Sequence, residues 1–248
     1  MDKIIKPIFC RVGSKTSMRN LVPKHFPKTF KKYVEGFVGG GSIFFYNDFS
    51  GKKVILNDLD KLLITNYKRV KRGLSGDLSK YDSSDLSYLQ NLYQQTGGTE
   101  LDKLVRFILE GCNTFGGKGQ GNPLYKASNP INKLKNLNIY KDKLSNVTLS
   151  SKDYKQVIKA HDGKETFFYL DPPYEKSKGL YEKEELNFEE LSDTLKKIKG
   201  KFLLSINDSP RIRKLFKPFK MVSLMVKGQA RGNSDLGQDR KELLIKNY

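Results

Sequence analysis

Two stretches of this 248-residue chain carry residue types and spacings that could do chemistry. The first is Asp171-Pro172-Pro173-Tyr174, which follows the apolar run Thr166-Phe167-Phe168-Tyr169-Leu170. A run this rich in aromatic residues reads as a buried strand, and Pro-Pro ends it abruptly. Neither proline donates a backbone hydrogen, and the residue before each is held extended. The expected result is a rigid ledge with one carboxylate and one aromatic face. It would stand at a strand's C-terminal end, where open α/β sheets bind their ligands. Asp and Pro are also ordinary turn formers, so the tetrapeptide alone does not decide between a tight turn and a site.

The second stretch supplies a place for a ligand. Tyr33-Val34-Glu35-Gly36-Phe37-Val38 predicts a strand that runs into Gly39-Gly40-Gly41-Ser42, and Ile43-Phe44-Phe45-Tyr46 starts a helix. Strand, glycine turn and helix let a ligand approach the backbone closely. Phe37-x-Gly39-x-Gly41 lacks the last glycine of the dinucleotide fingerprint but still admits a nucleoside. A further strand, Lys53-Val54-Ile55-Leu56, ends in Asn57-Asp58. An acid about 20 residues beyond the glycines is placed to accept hydrogen bonds from ribose hydroxyls. Asp58 could equally be the N-cap of a helix from Leu59 to Val70.

These elements need a scaffold, and the composition bounds it. The length suits one α/β domain with a smaller insert. No apolar run approaches the ~20 residues of a membrane span, and the N-terminus lacks the pattern of a signal peptide; an intracellular protein is expected. Two cysteines and two histidines leave little for a disulfide framework, a metal centre or a Ser-His triad. Forty-six Lys and Arg against 27 Asp and Glu give a net charge of +19, which favours an extended polyanion over a membrane surface.

From Lys61 to Ser145 the α/β rhythm is interrupted by a basic, polar insert. Lys68, Arg69, Lys71 and Arg72 cluster there, Thr99-Glu100-Leu101-Asp102 fits a capping box, and Leu101, Leu104, Val105, Ile108 and Leu109 follow at helical spacing. A glycine-rich loop, Asn113 to Pro123, comes next; it reads equally as a surface linker and as a strap along nucleic-acid backbone. Strands return at Asn146 to Leu149, Lys201 to Ile206, Met221 to Val226 and Glu242 to Ile245. A helix through Leu191, Leu195 and Ile198 precedes the second of these.

Gly13-Ser14-Lys15, Phe37-Val38-Gly39-Gly40-Gly41, Asn57-Asp58, Asp153-Tyr154, Asp171-Pro172-Pro173-Tyr174 and Glu242-Leu243-Leu244-Ile245 occur in an order that resembles the Dam-type, alpha-class DNA adenine-N6 methyltransferases. The resemblance spans nearly the whole chain. It implies a mostly parallel Rossmann-like sheet with an antiparallel last strand and a small, mainly helical basic insert. Residues 1–60 and 146–248 would form the S-adenosylmethionine-binding catalytic domain, and 61–145 the target-recognition insert. Arg11, Gly13, Lys15, Glu35, Phe37, Gly39, Gly41, Asp58, Asp153, Tyr154 and Asp171 fall on cofactor positions. Lys15, Asn113, Lys118, Lys126 and Arg231 are the DNA-contact candidates. Three departures stand out: Arg11 replaces a frequent aromatic residue, Gly36 replaces a proline, and Phe115-Gly116-Gly117-Lys118 lacks the family's arginine-containing hairpin.

The implied reaction needs Asp171, Pro172 and Tyr174. An adenine amine is a poor nucleophile because its lone pair is delocalised into the ring. Asp171's carboxylate and Pro172's carbonyl would draw the amine hydrogens out of plane, and Tyr174 would stack on the base. No metal is required. Double-stranded DNA is the expected substrate, with room left for a homodimer and for a restriction endonuclease acting on the same site. A non-catalytic DNA-binding protein on this fold and an RNA adenine methyltransferase are the alternatives.

Overall fold

The computed structural model describes residues 5–11, 13, 15–81, 91–92, 94, 97–113, 131–174, 186–226 and 240–248, without the side chains of Cys112, Asn113, Ile131, Asn132 and Arg240. Among these, seven strands form one sheet: β1 (Lys32–Glu35), β2 (Lys53–Asn57), β3 (Val147–Ser150), β4 (Thr166–Leu170), β5 (Lys201–Asn207), β6 (Lys220–Val226) and β7 (Arg240–Lys246). Their order is β3-β2-β1-β4-β5-β7-β6. Every pairing is parallel except those of β7, which runs against both β5 and β6. This is the Rossmann-like arrangement with an antiparallel last strand that the motif order implies.

Both faces of the sheet are covered, which explains why its central strands read as unbroken apolar runs. All five residues of β4 are buried. Phe167 and Tyr169 point into one hydrophobic cluster, Phe168 and Leu170 into the other. Helices α2 (Lys61–Arg72), α3 (Glu100–Asn113) and α5 (Leu137–Leu144) feed the first cluster through Leu63, Tyr67, Leu104, Ile108 and Tyr140, as does the short α1 (Ser42–Phe45) through Phe44 and Phe45. Helices α6 (Tyr154–His161), α7 (Phe188–Lys196) and α8 (Pro210–Leu215) feed the second through Val157, Ile158, Leu191, Leu195 and Ile212. A single turn, α4 (Ile131–Leu134), precedes α5. The core of the first face thus continues without a break into the helices of the 61–145 stretch.

Three local expectations are corrected. β1 ends at Glu35 rather than Val38, because beyond it Gly36 N–H bonds Tyr169 O (3.1 Å) while Val38 N–H turns to Asn57 O (2.8 Å). Helix α2 starts at Lys61 and is capped by Asp60, whose carboxylate accepts from Leu62 and Leu63 N–H; Asp58 caps nothing there. Before β1, where Met18, Leu21 and Val22 suggest a helical segment that stops near Pro23 to Pro27, the chain forms two 3-10 turns, Lys15–Met18 and Val22–His25, and Pro23 lies inside the second. Proline's fixed φ suits the first positions of a helical turn, so it opens this one instead of ending the segment.

The capping box at α3 forms as its sequence suggests. Thr99 Oγ1 accepts from Asp102 N–H (3.1 Å), and Asp102 Oδ2 accepts from Thr99 N–H (2.8 Å) and from its hydroxyl (2.7 Å). Tyr81 Oη and Lys80 Nζ also donate to Asp102, at 2.6 and 3.0 Å, so the cap ties α3 to the turn before it. Replacing Thr99 by Ala is expected to cost about 1 kcal/mol of stability. Chemical denaturation checks this, and an unchanged midpoint would discount the cap.

Candidate active site

Strand order reverses between β1 and β4, so the loops that leave their C-terminal ends diverge and open a crevice. The glycine turn leaves β1 and the Asp171 ledge leaves β4. Glu35 and Tyr169 are register partners across this pair, so the two loops emerge side by side. Asn57, at the end of β2, stitches the edge together. Its buried side chain donates to Gly36 O (3.0 Å) and Lys152 O (2.9 Å) and accepts from Lys152 N–H (3.0 Å). One amide thereby joins the glycine turn to the loop that carries Asp153 and Tyr154.

The ledge is braced from two sides. Lys15, with its side chain 3% exposed, places Nζ 2.5 Å from Asp171 Oδ1 and 4.6 Å from the centre of the Tyr174 ring. Such burial is tolerated for an ammonium only with a close counter-charge. On the other side the Tyr174 hydroxyl donates to the carboxylate of Glu242, a wholly buried residue of β7. Glu242 matched only as part of a terminal Glu-Leu-Leu in the sequence; its role at the ledge has no local signal.

Opposite the ledge, Gly39 and Gly41 adopt φ of +47° and +70°, where a side chain would be strained, and the space beside the Gly39 Cα is open. Asp58 holds this turn: its carboxylate accepts from Gly39 N–H (2.9 Å) and Asp60 N–H (3.0 Å). A carboxylate has about four lone-pair sites, so Asp58 retains acceptor capacity for hydroxyls. Phe37 packs on Tyr154 with ring centres 5.5 Å apart, and Asp153 caps α6 by accepting from Lys155 N–H (2.8 Å). Arg11 pairs with Asp60 at 2.7 Å and lies 5.0 Å over the Phe107 ring; Gly13 turns at φ +77°. An open glycine turn beside a carboxylate with spare acceptor capacity suits a ligand that carries hydroxyl groups.

A family model described as D12 class N6 adenine-specific DNA methyltransferase matches residues 12–101 and 99–230, well over half of the sequence. The chain belongs to this family. Among its relatives, the type II methyltransferase M.MjaIII of Methanocaldococcus jannaschii is 27% identical over 200 residues, 68% of this chain and 69% of that protein. The type II methyltransferase M.CviBI of Paramecium bursaria Chlorella virus NC1A is 24% identical over 262 residues, covering 98% of this chain and 100% of the viral protein. The protein is therefore a site-specific DNA adenine-N6 methyltransferase, with the fold and motif order expected of one.

Of the DNA-contact candidates in this methyltransferase, Lys15 is committed to the ledge. Asn113 is the last residue of α3, while Lys118, Lys126 and Arg231 lie outside the described residues. Part of the basic excess is structural. Lys32, Lys71, Lys133, Lys143 and Lys201 donate to the carbonyls of His161, Val147, Ile8, Asn47 and Thr29 at 2.6–3.2 Å. No helix among the described residues is long and apolar enough to cross a membrane.

Glu35 dominates the site's titration. Burial raises its pKa to about 8, the Tyr33 hydroxyl at 2.9 Å resists this, and Asp171 and Asp58 add to it. Asp58 is raised too, again by burial, against the hydrogen bonds from Asp60 and Gly39 N–H. Between pH 4.5 and about 8 the folded chain holds a proton on Glu35 that the unfolded chain has released. Glu35 therefore subtracts stability as pH rises through that window. Glu35→Gln should gain stability over wild type progressively from pH 5 to pH 8.5, measured by denaturant unfolding. A pH-independent difference would contradict the protonated state.

Proposed function

We propose that this methyltransferase takes its methyl group from S-adenosylmethionine and delivers it to an adenine flipped out of duplex DNA. The observation that carries the reading is the Asp171-to-Tyr174 ledge standing beside the glycine turn at the β1/β4 switch point. The bound cofactor supplies an electrophilic sulfonium methyl. Everything else is positioning and electrostatics by the chain, as suits transfer between two bound partners.

Asp58 accepts from the ribose hydroxyls, Gly39 and Gly41 admit the nucleoside to the backbone, and Tyr154 and Phe37 border its base. Arg11, Gly13 and Lys15 close the N-terminal side. Asp171 Oδ1 is buried against Lys15, so the adenine amine is assigned to Oδ2, and its second hydrogen to the carbonyl of Pro172. The ion pair holds the carboxylate in place as an acceptor. Polarised by these two acceptors, the amine would turn its lone pair out of the ring plane toward that methyl, and Asp171 would accept the N6 proton as the methyl's bond to sulfur gives way. Tyr174 stacks on the base and compensates in part for unstacking, which costs a few kcal/mol. The basic 61–145 stretch, with Asn113, Lys118 and Lys126, and Arg231 beyond it contact the DNA backbone. The matching of a DNA-adenine family supports DNA over RNA as substrate.

Asp171→Ala is expected to lower the methyl-transfer rate by at least about 10²-fold while circular dichroism stays native. Mapping N6-methyladenine in mixed-sequence DNA incubated with labelled cofactor reads this, and near-wild-type transfer would remove Asp171 from the reaction. Asp58→Ala is expected to weaken S-adenosylmethionine binding by about tenfold, the worth of one or two hydrogen bonds, with DNA binding retained. Titration calorimetry giving an unchanged cofactor affinity would displace Asp58 from the cofactor site.

A further inference from the structure

Glu242 stands in β7 opposite Asn207 of β5 and Leu224 of β6, and it is fully buried. A carboxylate in such a place persists only when hydrogen bonds satisfy it. Its partner here comes from far along the chain, the hydroxyl of Tyr174, 68 positions away. Tyr174 itself packs at the margin of the second hydrophobic cluster, with the Lys15 ammonium over its ring. Packing alone would let this ring slide and tilt; a hydrogen bond to its para oxygen, which lies on the ring's own long axis, fixes the depth and the direction of that axis.

A phenol has one proton to donate. Given to Glu242, that proton holds the ring in place at the ledge. We propose that Glu242 is a positioning residue for methyl transfer. Through the Tyr174 hydroxyl it sets the depth and the axis of the ring on which the target base stacks. This rests on the roles given above to Tyr174 and Asp171.

The test is single-turnover methyl transfer by the full chain into unmethylated genomic DNA, with cofactor affinity measured in parallel. Glu242→Leu, folded, is expected to slow the transfer about tenfold, the size of one hydrogen bond to a charged group, and to leave cofactor affinity unchanged. Glu242→Gln, which keeps an acceptor oxygen, should recover most of that loss. Tyr174→Phe, which keeps the ring and removes the hydroxyl, should be slowed to a similar extent. In the Tyr174→Phe background Glu242→Leu should then cost nothing more. A wild-type rate for folded Glu242→Leu, or its full penalty repeated in the Tyr174→Phe background, overturns the proposal. Should Glu242→Leu not fold, Tyr174→Phe decides, and an unchanged rate in it is the overturning result. Tyr174→Ala separates the two levels. A full rate there refutes the stacking role itself, whereas a slow Tyr174→Ala beside a wild-type Glu242→Leu refutes only the part given to Glu242.

Discussion

A buried ammonium against a partly buried carboxylate is the contact on which the rest of the site depends. Desolvating Lys15 and Asp171 costs several kcal/mol for each ion, and the 2.5 Å pair offsets this only while both ends are held. Holding Lys15 requires the N-terminal segment to cross the C-terminal edge of the sheet. Ile8, Phe9 and Met18 anchor it there in the first hydrophobic cluster, and Phe9 meets Tyr67 and Phe107 edge-on at 4.7 and 5.0 Å. Holding Asp171 requires β4 to stop where it does, which the two prolines ensure. Loss of either partner would leave the other charge poorly compensated and loosen the N-terminal segment over the ledge, while the sheet beneath keeps its own core on both faces.

Around that pair the site gathers more carboxylates than its size would ordinarily allow. Each is tolerated by a different device. Glu35 takes up a proton and a tyrosine hydrogen bond, Asp58 is held by two backbone N–H groups, and Asp60 by Arg11 and the N-terminus of α2. Glu242 accepts the Tyr174 hydroxyl. These devices leave a crevice whose carboxylates are largely offset, inside a chain that is strongly basic overall. A polyanion is drawn to the basic surface around it.

Some of this was legible in the sequence because it is local. The aromatic run before Pro172 can hardly be anything but a buried strand, and three glycines before Ser42 leave few conformations besides a turn. Thr99 and Asp102 cap their own helix, so spacing alone identifies them. Other features depended on partners that spacing does not reveal. Asp58 and Asp60 are equally good caps two residues apart, and the choice between them is made by Gly39 N–H, which takes the Asp58 carboxylate for itself. β1 looks extended through Val38, yet its ladder stops at Glu35 because Asn57 draws the chain aside. Glu242 and Lys15 reach the ledge from opposite ends of the chain, and no periodicity records that.

The net charge shows the same division between what composition reveals and what placement decides. A count of +19 points to a polyanion, but at least five lysines have their ammonium groups clamped on backbone carbonyls and Lys15 is buried against Asp171. A clamped lysine still adds to the long-range field that steers DNA toward the surface. It releases a condensed counterion only if its ammonium can reach a phosphate. Steering therefore scales with the whole excess of charge, whereas the salt dependence of the bound complex scales with the smaller set of cations that touch the backbone. The two quantities must diverge in this protein, and the divergence follows from how many of its lysines the fold itself employs.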